Sequence, residues 1–211
     1  MPDALQRSYD GLVEWATLSD VLLRGLVHAL NNRLTALSAY SELAALGDEE
    51  FAPERILPAE LKRLQRVNRE FRLLIGDSVS AEAMEVTPLL EDAIALYAHQ
   101  PRMSMIRHVV SREGTSTPVR APRWAIMRLL LVLLDGGARA AEAERRAEVA
   151  IRVVAEDETL LIAVARTVAT PYAEMMAHQC GATLTTGSGG VEVRLPSLAA
   201  LRARERSDAV R

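Results

Sequence analysis

Aromatic side chains make up only 4% of this 211-residue chain, and there is a single cysteine, Cys180. One cysteine excludes a disulfide framework within the chain and fits a reducing compartment, so a cytoplasmic setting is expected. Charge of one sign is lacking as well: 25 Lys and Arg against 28 Asp and Glu leave a net charge of −3. That balance argues against a nucleic-acid partner. The arginines at Arg145–Arg146 and between Arg202 and Arg206 have acidic residues interleaved, the pattern of solvated faces. No apolar run is long enough to span a bilayer. MRLLLVLLDGG, from Met127, is too short and is bordered by arginine. The first residues lack the charged-then-apolar pattern of a secretory leader. No membrane partner is therefore expected. His178 stands near Cys180, but no second pair of ligand residues accompanies them, so no metal is expected.

What the chain does have is a long apolar helix pattern, VLLRGLVHALNNRLTALSAYSELAAL over residues 21–46. Leu23, Leu26, Leu30, Leu34, Leu37, Ser41 and Ala44 recur at steps of three and four, the seam of a packed helix. At 100° per residue, His28 lies about 160° from the middle of that seam. Asn32 is one turn on, and Arg24 and Thr35 flank the pair. The helix thus has a dry face and a polar face, with an imidazole on the polar one. Residues 1–20 continue the same pattern without a break, and Gly47 offers a stop before the acidic turn DEE. A second helix runs from Pro53 or Pro58 to near Ser80, with a seam at Leu61, Leu64, Asn68, Phe71, Leu74 and Ile75. Two long helices with a short connection predict an antiparallel hairpin. A lone hairpin encloses no core, so a homodimer with a four-helix bundle is expected.

The texture changes at Glu85. Thr87 and Pro88 suit the N-cap and first position of a helix, PLLEDAIALYAHQ. Residues 106–112 and TPVR read as strands, and Ala121 to Arg146 as a buried helix. VAIRVVAED and TLLIAVAR form the best hairpin signal in the chain. A helix from Pro171 to Gln179 ends at Gly181, and two strands close around GSGG at 187–190. That glycine loop joins strands rather than opening a helix, so it reads as a hairpin turn and not a phosphate cradle. The fold class is α+β: residues 1–82 a helical hairpin, 85–196 an α/β sandwich of helices on one face of a mixed sheet, 197–211 a tail of a turn or two of helix.

HALNNRLTAL resembles the H-box of bacterial sensor histidine kinases, close to H-E-L-N-N-P-L-T-A-I, through His28, Leu30, Asn31, Asn32, Leu34, Thr35 and Ala36. The resemblance implies that His28 is a phosphoacceptor and that Asn32 sits where kinases with phosphatase activity orient water. Ala29 replaces the usual acidic residue, and Arg33 the usual proline. The second half resembles the ATP-binding domain of the same family at WAIMRLLLVLLDGGARAAEA and at MMAHQCGATLTT…GGVEVRLP. Asp135 falls at the asparagine that holds Mg²⁺ in that family, and Leu131 at the earlier one. The adenine aspartate, the lid and the second glycine box have no counterpart. The resemblance therefore implies a degenerate ATP-binding domain with no cofactor of its own, and a histidine phosphotransferase of a two-component phosphorelay. Such a protein carries a phosphoryl group between response-regulator receiver domains, and the receiver supplies the Mg²⁺. Arg24, Asn31, Asn32, Arg33, Thr35 and Ala36 are the expected docking residues around catalytic His28. Two alternatives stay open: a divergent ATP-dependent kinase, and a non-catalytic dimeric scaffold or inhibitor.

Overall fold

The computed structural model describes residues 2–45, 53–75, 80–100, 105–115 and 117–209. The chain opens with one uninterrupted helix of 44 residues, α1 (Pro2–Ala45). It has no proline after Pro2 to break it. The second helix, α2 (Pro53–Ile75), starts at the earlier of the two expected prolines and carries Pro58 within it. The two pack along each other as a helical hairpin. The expected stop at Gly47 and the last residues before Ser80 lie outside the described residues.

The buried seam of α1 is only partly the expected one, since it keeps Leu26 and Leu30. Leu18, Leu22 and Leu26 are fully buried, whereas Leu23 and Leu34 are 38% and 47% exposed. The physical reason is that α1 carries apolar residues on two neighbouring faces. The rest of this chain covers only the face of Leu18, Leu22 and Leu26. The other face remains open.

The second half is the α/β sandwich expected. Its first element, β1 (Ala81–Met84), pairs antiparallel with β3 (Val119–Pro122), so these residues go with the sheet rather than the hairpin. Helix α3 (Val86–Tyr97) starts from an N-cap at Glu85, two residues before the expected Thr87. A five-stranded sheet has the order β2-β4-β5-β7-β6, from β2 (Arg107–Glu113), β4 (Glu148–Ala155), β5 (Thr159–Ala165), β6 (Thr183–Gly187) and β7 (Gly190–Pro196). Only β2 and β4 run parallel. The registers align Ile151 with Val164, Val153 with Ile162, Ile162 with Val193 and Leu160 with Leu195. All of these are buried, so alternate residues build one apolar face. The opposite face is polar, with Arg152 and Arg194 both paired to Glu192. Against the apolar face lies α4 (Arg123–Ala143), buried on nearly all sides between the sheet, α3 and α5 (Pro171–Gln179). Thr170 caps α5 by accepting from the Ala173 N–H at 3.2 Å.

The glycine turn between β6 and β7 has a steric cause. Gly190 sits at φ +136°, and a Cβ there would stand 2.1 Å from the Val164 carbonyl oxygen. The tail is more ordered than expected: α6 (Leu198–Ala209) is a 12-residue helix, tied down by buried Ser197, whose Oγ accepts from the Ala200 N–H.

The two halves meet along α1 and also where α2 packs against α4. Trp15 stacks on Tyr172 of α5 with ring centroids 5.4 Å apart. The Arg128 guanidinium lies 4.8 Å from the Trp15 ring centre and 5.1 Å from that of Trp124. Gly11 lets the helices approach: a Cβ there would meet the Tyr172 nitrogen at 3.0 Å. Among the described residues no helix is long and apolar enough to cross a membrane.

Candidate functional site

His28 stands on α1 about two turns beyond the buried Leu18–Leu22 contact and is exposed. One turn before it, Gly25 allows the end of α3 to lie against α1. A Cβ at Gly25 would come within 2.7 Å of the His99 carbonyl oxygen. A cleft results, walled by α1, α2 and the turn after α3, with a volume of about 440 Å³. His28, Asn32 and Arg33 line it from α1, Arg63, Arg66 and Glu70 from α2, and Ala98 and His99 from the turn.

Within the cleft, Asn32 Nδ2 lies 3.4 Å from His28 Nε2. An amide N–H facing that nitrogen favours the tautomer with its proton on Nδ1 and a lone pair on Nε2. Arg33 reaches Glu60 at 3.4 Å, and Arg63 bonds the other oxygen of the same buried carboxylate. His99 Nε2 lies 2.8 Å from Glu70 Oε2, and Glu70 is also buried.

The remaining expected docking residues divide by helical position. Arg24, Asn31 and Thr35 are exposed and fall one or two turns from His28 on the same side. Arg24 is engaged by Asp20 at 2.6 Å. Arg33 and Ala36 are half-buried and turn toward the hairpin interior. Four cleft residues lie outside the set expected from the sequence: Arg63, Arg66, Glu70 and His99. The first three share a face of α2, at steps of three and four, a signal that was readable. His99 read only as the end of a helix.

A second polar cluster lies in α4. Asp135 is buried, and each of its oxygens already accepts a bond. Tyr97 Oη donates to Oδ1 at 3.0 Å, and Arg139 donates to Oδ2. Burial first, then the Asp135 charge, pushes the Tyr97 hydroxyl far above the usual phenol range. Thr167 crowds the same helix: a Cβ on Gly136 would collide with its Oγ1 at 2.2 Å. Among the described residues, no group of three or more His, Cys, Asp or Glu side chains could hold a metal ion. Cys180 is buried, which pushes its thiol up to about 12, while neighbouring His178 is exposed.

No family model matches the chain, and no curated protein sequence matches it either. Several solved structures are similar in fold. The Acinetobacter baumannii histidine kinase AdeS is 16% identical, with a TM-score of 0.45 over 81% of this chain and 98% of that one. The cytoplasmic segment of histidine kinase QseC is 15% identical, with a TM-score of 0.43 over 70% and 95%. A bacterial phosphotransferase is 16% identical, with a TM-score of 0.40 over 86% and 96%. Similarity at this level assigns no residue role and no activity.

Proposed function

We propose that the chain is a histidine phosphotransferase of a two-component phosphorelay, carrying a phosphoryl group on His28 between response-regulator aspartates. The observation that carries this reading is His28 itself. It is an exposed imidazole on a rigid helix, with Asn32 beside Nε2 and arginines on the facing helix. The H-box resemblance of HALNNRLTAL supports the same assignment.

The chemistry needs little from the chain. The Nε2 lone pair of His28 attacks phosphorus in line, the P–O bond to the receiver's aspartate breaks, and the carboxylate leaves with the electron pair. The Nδ1 proton stays in place. Return transfer is the reverse, onto a second receiver's carboxylate. An acyl phosphate is already an activated donor, so the absence of an acidic residue at Ala29 is tolerable. Mg²⁺ belongs to the receiver in this reading.

The reading gives the chain no nucleotide of its own. The α4 cluster supports that part. Asp135, at the position of the family's Mg²⁺ ligand, has both oxygens committed to Tyr97 and Arg139. A metal there would displace a guanidinium from a buried carboxylate. The residues present do not fit a metal–nucleotide site.

The chain acts as a homodimer in this reading. Tyr9, Leu12, Leu23, Val27 and Leu34 are all exposed and fall within about 60° of one another around α1. Leu57, Leu61 and Ile75 extend the open surface on α2. A self-complementary pairing of two hairpins covers this stripe. Such an apolar face is also what a scaffold would use, which makes the transfer experiment decisive.

That experiment offers the protein labelled ATP alone, and separately a panel of receivers phosphorylated by another kinase. Label arriving on His28 only from a receiver, and lost in His28→Ala, is the expected result. Label from ATP alone would make the chain a kinase. Label from neither would leave the scaffold reading.

A further inference from the structure

Three arginines reach the cleft beside His28 from two helices, and they are not all spoken for. Glu60 is shared between Arg33 and Arg63. Arg66 has no ion pair among the described residues, although it lines the same cleft. On the other wall, His99 is held by buried Glu70 through Nε2, which leaves Nδ1 as its remaining bonding atom. Leaving the imidazoles aside, three arginines stand against two carboxylates, Glu60 and Glu70. The packing that creates this arrangement is specific: Gly25 is the only residue type that lets the His99 backbone approach α1 so closely. Cations that converge without enough carboxylates to neutralise them form an anion site.

We propose that this cleft is a phosphoryl-binding subsite, in which Arg66, with Arg63, holds the oxygens of a phosphoryl group on His28. This rests on the reading of His28 as a phosphoryl carrier. Arg66 supplies the free positive charge. Arg63 can shift part of its bonding from Glu60, which keeps Arg33 as a partner. His99, held by Glu70, lines the opposite wall and reports on what enters the cleft. The subsite explains how the chain would shelter a labile dianion between two encounters. It also gives a role to the charged face of α2 that the helical hairpin does not need for packing.

The test titrates inorganic phosphate into the full chain and follows the ring resonances of His28 and His99 by nuclear magnetic resonance. Saturable shifts of both rings are expected. Arg66→Ala should weaken binding by roughly tenfold, the loss of one charge-assisted contact. Arg107→Ala, which removes an exposed arginine paired to Glu148 on the sheet edge, should change nothing. In His28→Ala the His99 shift should persist. An absent or unsaturable shift in the unmodified chain, or an Arg66→Ala variant that binds equally well, would overturn the subsite. Phosphate binding with this pattern in a chain whose His28 never takes label from a receiver would retain the subsite and sink the carrier reading, so the two failures are distinguishable.

Discussion

Two polar clusters in this molecule hold similar residue types and behave oppositely. Asp135, Tyr97 and Arg139 sit on and against the buried helix α4, and each group is answered by another. Around His28 the groups are as polar, but the cleft is open and one guanidinium has no carboxylate among the described residues. A carboxylate at a metal-ligand position is no site when an arginine already fills its second oxygen. An imidazole on a helix becomes one when its neighbours have bonding capacity to spare. Spare capacity, more than residue identity, separates a functional cluster from a structural one.

The contrast can be broken from either side. The largest effect is expected on the open side of α1. Val27→Glu combined with Leu34→Glu places charge on the exposed stripe without touching the buried seam. A dimer built on that face should become monomeric, which sedimentation would read directly, and helical content should be retained. A variant that remains dimeric would move the interface elsewhere.

Next comes the closed cluster. Asp135→Ala leaves a buried tyrosine hydroxyl and a guanidinium unanswered, so a loss of about 1–3 kcal/mol is expected in denaturant unfolding. Label transfer to His28 should be unchanged at temperatures where the variant is folded. Loss of transfer without loss of stability would give Asp135 a chemical role.

The smallest effect is a pH dependence from the same region. His108 packs edge-on to Tyr97 with centroids 5.5 Å apart, and its Nε2 is buried without a partner among the described residues. Burial lowers its pKa from the ordinary value of 6.5. The folded chain therefore holds fewer protons on this ring than the unfolded one. Stability from this group is full above the ordinary imidazole pKa and declines as pH falls below it. His108→Phe should flatten that acid limb. An unchanged slope would assign it to other groups.

Much of the fold was legible because its signals are local. The β4–β5 hairpin announces itself by two valine- and leucine-rich runs around an acidic turn. Helix α5 carries its own start, Thr170–Pro171, and its own stop, Gly181 at φ +64°. His28 is exposed as its spacing predicts, although the face buried is that of Leu18, Leu22 and Leu26 rather than the one the spacing singles out. The cleft was not legible, because its walls come together only through tertiary packing. Glu70 and His99 are 29 residues apart, and nothing in either segment points to the other. The orientation of α1 differs from the expected one for a related cause. A helix with apolar residues on two faces does not say which one its own chain will cover.

The continuity of α1 has a mechanical consequence. Trp15, clasped to Tyr172, and His28 stand on one helix with no proline or glycine pair between them. At 1.5 Å per residue, the thirteen-residue interval is a strut of about 20 Å. A helix of that length resists bending, so a load applied at α5 arrives at the imidazole as displacement of a rigid rod. The second half of the molecule is thereby a handle on the first. Whatever grips it aims His28, much as a grip aims the tip of a tool.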